Sequence, residues 1–188
     1  MNGKGQLKLK NNTIYEYVLI ALGANLPSAL GTPLQTLVAV LGEFESRGIE
    51  IDRRSRWYKS APVPVSSQDW YINGVISVKT TLGPEDLLAL LHRIEDEFGR
   101  TRGELNAARV LDLDLIAYGN LVREAGLAPE LPHPRMHDRA FVLLPMADIV
   151  PDWVHPVSGA TLSDLIAGIP PDQTIEAFEE ALDEPMDA

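Results

Sequence analysis

Val110-Leu111-Asp112-Leu113-Asp114-Leu115-Ile116-Ala117-Tyr118 is the stretch on which the fold turns. Side chains alternate across a strand, so Leu111, Leu113 and Leu115 share one face while Asp112 and Asp114 share the other. Val110, Ile116 and Tyr118 are expected beside the two acids, which makes their face partly apolar. This strand closes a pattern that begins at Tyr17. Tyr17 to Leu22 reads as a buried strand ended by Gly23. Thr32, Pro33 and Gln35 make a helix start with a cap, a proline at the first position and a capping box. Leu34, Leu37, Val38, Leu41 and Phe44 follow on one helical face, with Gly48 as the stop.

Outward from there, Ile49 to Ser60 and Tyr71 to Thr80 read as strands. The segment from Ala61 to Asp69 between them is long for a tight hairpin and reads as a binding loop or lid. A second helix starts at Pro84, presents Leu87, Leu88, Leu91, Ile94 and Phe98, and stops at Gly99. The order is βαββαβ, a split β-α-β layout with helices on one face of the sheet and the other face left to carry a site. Further helices are expected from about Asp138 and after a Thr161 cap. The expected fold class is therefore α+β: a ferredoxin-like βαββαβ core, a mostly antiparallel sheet and helices packed on it as a three-layer αβα sandwich. Residues 1–14 show no hydrophobic period and read as a flexible leader, 15–175 as one domain, and 176–188 as an acidic tail.

A chain of 188 residues can bury one substantial core. The absence of cysteine excludes disulfides, thiolate metal sites and cysteine nucleophiles. No apolar run approaches the about 20 residues that span a bilayer, and the expected location is the cytoplasm. The net charge of −11 is unevenly spread: residues 140–188 hold ten Asp or Glu and no Lys or Arg, leaving 17 acids against 16 bases before them. Between Arg93 and Arg139 stand seven arginines and no lysine. The guanidinium fork suits bidentate contacts to phosphate or carboxylate, so this stretch points to anion recognition.

Asp112 and Asp114 place two hard oxygen ligands on one face, roughly 6 to 7 Å apart at Cα. Such a pair can bridge two magnesium ions that complete their shells with water and phosphate oxygens; the alternative is a solvated strand face. Arg100, Arg102 and Arg109 lead into the strand, either as surface charges or, jointly, as part of a triphosphate site. His133, flanked by prolines, with Arg139 after it, could contact phosphate or pack in a stiff turn. Asn73 is suited to reading a heterocycle edge or to satisfying backbone groups, and Tyr71 and Phe141 to walling a flat ligand or filling the core. No P-loop or dinucleotide glycine fingerprint is present.

In order and spacing these elements resemble the 6-hydroxymethyl-7,8-dihydropterin pyrophosphokinase family from about Tyr17 to Thr161. The resemblance rests on Ala21-Leu22-Gly23-Ala24-Asn25-Leu26, on Gln68 to Asn73, and on Ile94-Glu95 with Gly99-Arg100-Thr101-Arg102. It continues through Arg109 to Ile116 and through Pro132-His133-Pro134-Arg135 ahead of Arg139-Ala140-Phe141-Val142-Leu143. It implies transfer of pyrophosphate from ATP to 6-hydroxymethyl-7,8-dihydropterin, giving AMP and the pterin diphosphate in folate biosynthesis. It further implies two Mg2+ ions on Asp112 and Asp114, with Arg100 and Arg109 joining these acids as catalytic groups. ATP would meet Glu95, Arg100, Arg102, Arg109, His133 and Arg139. The pterin would stack between Tyr71 and Phe141, with Asn73 and the backbone of Ser60 and Pro62 at its hydrogen-bonding edge. The expected protein is a monomer that binds neither nucleic acid nor membrane. A ferredoxin-like RNA-binding module is the rival from another class, opposed by two carboxylates that would repel a phosphate backbone. A two-metal nucleotidyl or cyclase enzyme is the enzymatic rival, since it would use the same pair.

Overall fold

The computed structural model describes residues 6–9 and 12–15 as backbone, and residues 17–100, 107–124 and 126–178 in full. Strand β1 (Gln6–Leu9) pairs antiparallel with β2 (Asn12–Tyr15), within the stretch expected as a leader. The rest of the leader and residues 179–188 of the expected tail lie outside the described residues.

A six-stranded antiparallel sheet forms the body. Its strands are β3 (Val18–Ala24), β4 (Glu50–Arg54), β5 (Trp57–Ser60), β6 (Tyr71–Lys79), β7 (Asp112–Tyr118) and β8 (Ile175–Phe178). The spatial order is β7-β3-β6-β5-β8, with β4 also pairing β6. The stretch expected as one strand from Ile49 to Ser60 is thus two. At the break, Ser55 takes part in the ladder through its side chain: Oγ accepts the Val75 N–H at 3.0 Å, while the Ser55 N–H donates to the Val75 carbonyl at 3.0 Å. Strand β8 carries the sheet past the expected domain boundary at 175, pairing Trp57 with Phe178 and Ser60 with Ile175.

Helices α1 (Pro33–Ser46) and α2 (Pro84–Glu97) cover one face. The expected capping box of α1 is present: Thr32 Oγ1 accepts from the Gln35 N–H, and Gln35 Oε1 from the Thr32 N–H. Its buried seam is Leu37, Val40 and Phe44, at helical spacing; Val38 lies about 100° away from Leu37 and is exposed. The face of α2 buries Leu87, Leu90, Leu91 and Ile94. Glycines with positive φ follow both helices, Gly48 at 75° and Gly99 at 86°.

The other face is not left open. Helices α3 (Ala140–Ile149) and α4 (Leu162–Ala167) build a second core against it with Leu19, Val75, Ile116 and Ala117. This completes the three-layer αβα sandwich. Helix α3 is pinned at both ends. Gln173 caps its start, accepting from the Ala140 N–H at 2.9 Å, and Arg53 donates to the Ile149 carbonyl at 2.8 Å at its end. No helix among the described residues is long and apolar enough to cross a membrane.

The β3–β7 register shifts between Leu19 and Ile20, where Ile116 is the extra residue of a bulge. Ile116 stays on the acids' side of the sheet, but the bulge sends Tyr118 into the opposite core. Val110 precedes the strand instead of joining its face. Only two of the three apolar neighbours expected beside the acids are therefore displaced, and Ile116 remains.

Gly74 faces the Trp57 ring so closely that a Cβ would meet it at 2.8 Å, and Trp57 is itself buried. Gly74→Ala should destabilise the fold by about 1–3 kcal/mol through overpacking. A lower urea midpoint at unchanged denaturant dependence checks this, and an unchanged midpoint contradicts it.

Candidate active site

Antiparallel pairing brings the C-terminal end of β3 together with the N-terminal ends of β6 and β7. One rung crosses the sheet as Asp112–Gly23–Asn73–Tyr58. Asp114 pairs with Ala21 one step along the same side. Small residues at 21 and 23 leave a floor between the acids and Asn73; a Cβ on Gly23 would stand 3.1 Å from Asn73 Oδ1. Above that floor is a cavity of about 320 Å³.

At its charged end, both carboxylates are partly buried, and Asp112 feels burial first and the Asp114 charge second. Together they hold the Asp112 carboxyl above the ordinary carboxylate range, against the pull of Arg109 and Arg100. Arginines offset the charge. Arg109 Nη1 bonds Asp112 Oδ1, Arg100 Nη1 lies 3.0 Å from the same oxygen, and Arg139 Nη1 donates to Asp114 Oδ2 at 3.3 Å. Arg139 also lies over the Phe141 ring at 5.3 Å, touching both ends of the cavity.

His133 stands next to this group. Its Nδ1 accepts the Arg135 N–H at 3.2 Å, so the neutral ring carries its proton on Nε2, which faces Asp114 Oδ2 at 3.9 Å. Burial lowers its pKa, and the positive Arg139 and Arg135 add to the depression while Asp114 opposes it.

The other end of the cavity is lined by Ser60, Pro62, Tyr71, Asn73 and Phe141. Asn73 Nδ2 donates to Ser60 Oγ at 2.9 Å, which fixes the amide and leaves Oδ1 toward Gly23. The Ser60 side chain thus holds the Asn73 amide. The Ala61–Asp69 connection does border the cavity, through Val63, Pro64, Ser66 and Gln68.

Glu95 is 1 % exposed and is not among the residues that line this cavity. Oε1 accepts the Leu113 N–H at 2.7 Å and the Arg100 guanidinium, so Glu95 positions Arg100 and the start of β7 from beneath. Burial pushes its carboxyl up to about 7, with the Leu113 N–H and Arg100 opposing that rise. A glutamate at helical spacing from Leu91, on the apolar seam of α2, was the signal for this role. Arg102 lies outside the described residues. Arg135 and Gln68 line the cavity without having been singled out for it, since a lone surface arginine or glutamine carries no pattern. Asn25 enters the sequence reading only as part of Ala21-Leu22-Gly23-Ala24-Asn25-Leu26, with no role of its own.

The donor set fits magnesium. Two carboxylates supply hard oxygens, and among the described residues no group of three or more His, Cys, Asp or Glu could enclose an ion. Magnesium characteristically keeps waters and takes substrate phosphates for the remainder of its shell.

A carboxylate pair ringed by arginines on an open antiparallel sheet is the apparatus of a phosphoryl-group transferase. The model of the family described as 7,8-dihydro-6-hydroxymethylpterin-pyrophosphokinase (HPPK) matches residues 19–151, and the chain belongs to that family. It is 43 % identical over 149 residues to the 2-amino-4-hydroxy-6-hydroxymethyldihydropteridine pyrophosphokinase of Synechocystis, covering 79 % of this chain and 73 % of that one. The protein of the same name from Pseudomonas aeruginosa is 37 % identical, with 81 % and 91 % covered. The Plasmodium falciparum HPPK-DHPS crystal structure with pteroate shares the fold, with a TM-score of 0.63 at 13 % identity over 86 % of this chain. This chain spans 43 % of that longer one.

Because Glu95 has a raised pKa, the folded chain keeps its proton where the unfolded chain has lost it. The group's effect on stability is neutral below its ordinary 4.5, turns unfavourable as pH rises to about 7, and stays so above. Glu95→Gln should abolish this decline, making the variant the more stable form at pH 8 while narrowing the difference at pH 5. Urea midpoints across that range test it; parallel profiles would rule it out.

Proposed function

We propose that this protein transfers the terminal diphosphate of ATP to the hydroxymethyl oxygen of 6-hydroxymethyl-7,8-dihydropterin, releasing AMP. The observation that carries the reading is one cavity with a carboxylate and arginine end and an aromatic and amide end. Membership of the pyrophosphokinase family supports it independently.

Asp112 and Asp114 would hold two Mg2+ ions, which supply charge neutralisation and orientation for the phosphates when bound. Arg109 and Arg139 grip the triphosphate from the carboxylate side. Arg100, braced by Glu95, adds a third guanidinium beside Asp112. His133 offers a neutral Nε2–H donor to a phosphate oxygen. The pterin ring lies at the Tyr71 and Phe141 end, and Asn73, locked by Ser60, reads its polar edge.

The substrate hydroxyl oxygen then bonds to the β-phosphorus as the bond from that phosphorus to the oxygen bridging to the α-phosphorus breaks. AMP departs with the bridging oxygen, and the hydroxyl proton passes to solvent. No strong base is required, since rate enhancement comes from alignment and from neutralising charge on the transferred group.

Phosphorus NMR of ATP, magnesium and the pterin with this protein is expected to show AMP and a pterin diphosphate. ADP or free pyrophosphate as the product would refute the assignment. Asp112→Ala and Asp114→Ala should each lower kcat by about 10²–10³-fold while the circular dichroism spectrum is kept. Near-normal turnover in both would remove the metal role.

A further inference from the structure

Helix α3 opens on an arginine, which is a poor residue for that place. A residue at a helix N-cap ordinarily accepts one of the orphan N–H groups with its own side-chain oxygen, and a guanidinium has no acceptor. Arg139 holds the position in an extended conformation, φ −118° and ψ 105°, and makes no side-chain cap bond. Its side chain enters the cavity instead, donating to Asp114 Oδ2 at 3.3 Å and lying over the Phe141 ring. That placement is held against opposition. Burial first and the Arg135 charge second disfavour the charged guanidinium there, and the two carboxylates only partly offset them.

The missing acceptor comes from much later in the chain. Gln173 Oε1 accepts the Ala140 N–H at 2.9 Å, and Gln173 Nε2 donates to the Asp138 carbonyl at 2.6 Å. The Asp138 carbonyl belongs to the peptide plane before Arg139, and the Ala140 N–H to the plane after it. Those two planes define the φ and ψ of Arg139, and hence the direction of its side chain. One amide therefore fixes both. The acceptor alone would suffice to cap α3; the donation to Asp138 satisfies no helical group and acts on Arg139. Gln173 is itself carried by the sheet, since the Thr174 carbonyl accepts the Ala61 N–H at 3.0 Å and Ile175 pairs with Ser60. It lies past residue 151, where the match to the family model ends.

We infer that Gln173 is a positioning residue for phosphate recognition: by holding the peptide planes on both sides of Arg139, it aims the guanidinium at Asp114 and at the phosphates of the nucleotide. The inference rests on the proposed nucleotide reading of this site. Arg139 can serve at once as the first residue of α3 and as part of the anion site because the capping task has been moved to another side chain.

Calorimetry on the full chain with magnesium and a non-hydrolysable ATP analogue tests this through a double-mutant cycle. Gln173→Ala should raise the Kd of the analogue by about fivefold or more, the size expected from freeing a capped helix start. Gln173→Met keeps the side-chain length but neither hydrogen bond, so it should weaken binding to a similar degree and covers a failure of the alanine variant to fold. On an Arg139→Ala background neither change should move the Kd by more than about twofold, because the group being aimed is gone. A role confined to the stability of α3 would lower the thermal midpoint yet leave the Kd of both single variants within about twofold of wild type. That result overturns the inference, as does an equal loss of affinity with and without Arg139. A wild type that does not bind the analogue refutes the nucleotide reading itself, before any variant is made.

Discussion

Two carboxylates on successive outward positions of one strand repel each other, and the architecture around them answers that repulsion. In water the cost is small; at a sheet end, burial first and the Asp114 charge second hold Asp112 above the ordinary carboxylate range. The compensation arrives from three directions. Arg109 comes from the segment ahead of β7, Arg100 from beyond α2 and Arg139 from the start of α3. Each needs its own support. Arg100 is set by the buried Glu95, Arg139 by α3 with its Gln173 cap, and Arg109 by Asn25.

Topology makes this convergence possible at low cost. In an antiparallel sheet the end of β3 necessarily meets the starts of β6 and β7, so residues more than fifty apart in sequence share one rung. The same face changes character along its length. Leu19, Val75 and Ile116 are covered by α3 and α4, whereas Ala21 and Gly23, nearer the end, give floor space to Asp112, Asp114 and Asn73. Helix α3 thus both seals the second core and delivers Arg139 and Phe141 to the edge of the uncovered region. The apolar core and the polar cavity are two stretches of one surface.

Much of this was legible in the sequence because it followed local rules. The Thr32 and Thr161 caps, the positive-φ glycines after α1 and α2, and the Asp112/Asp114 alternation are consequences of neighbouring residues. The parts that were not legible depend on partners far away in the chain. The bulge at Ile116 is a property of pairing with β3, and it alone moves Tyr118 to the other core. The split at Ser55 is a property of pairing with β6. Glu95 was expected at the nucleotide only through the family resemblance; its place on the α2 seam, accepting a backbone N–H of β7, shows it bracing the site from inside. Asn25 carried no local signal, because its bonds reach to Gln68, Asp69 and Arg109.

The arginine-for-lysine bias of this stretch has a physical reason in the same geometry. A guanidinium presents several donors in a rigid plane, so one edge can remain on a carboxylate while another meets a phosphate. Arg109, Arg100 and Arg139 are each oriented by an acid. An arginine whose rotamer is restricted in this way loses less entropy on binding an anion. A lysine ammonium, as a compact and strongly hydrated point charge, would satisfy Asp112 or Asp114 but hold no direction for a second partner. The acids therefore have a double part on the proposed reading. They present oxygen to magnesium, and by drawing the arginines into place they prepare the positive surface that a triphosphate meets.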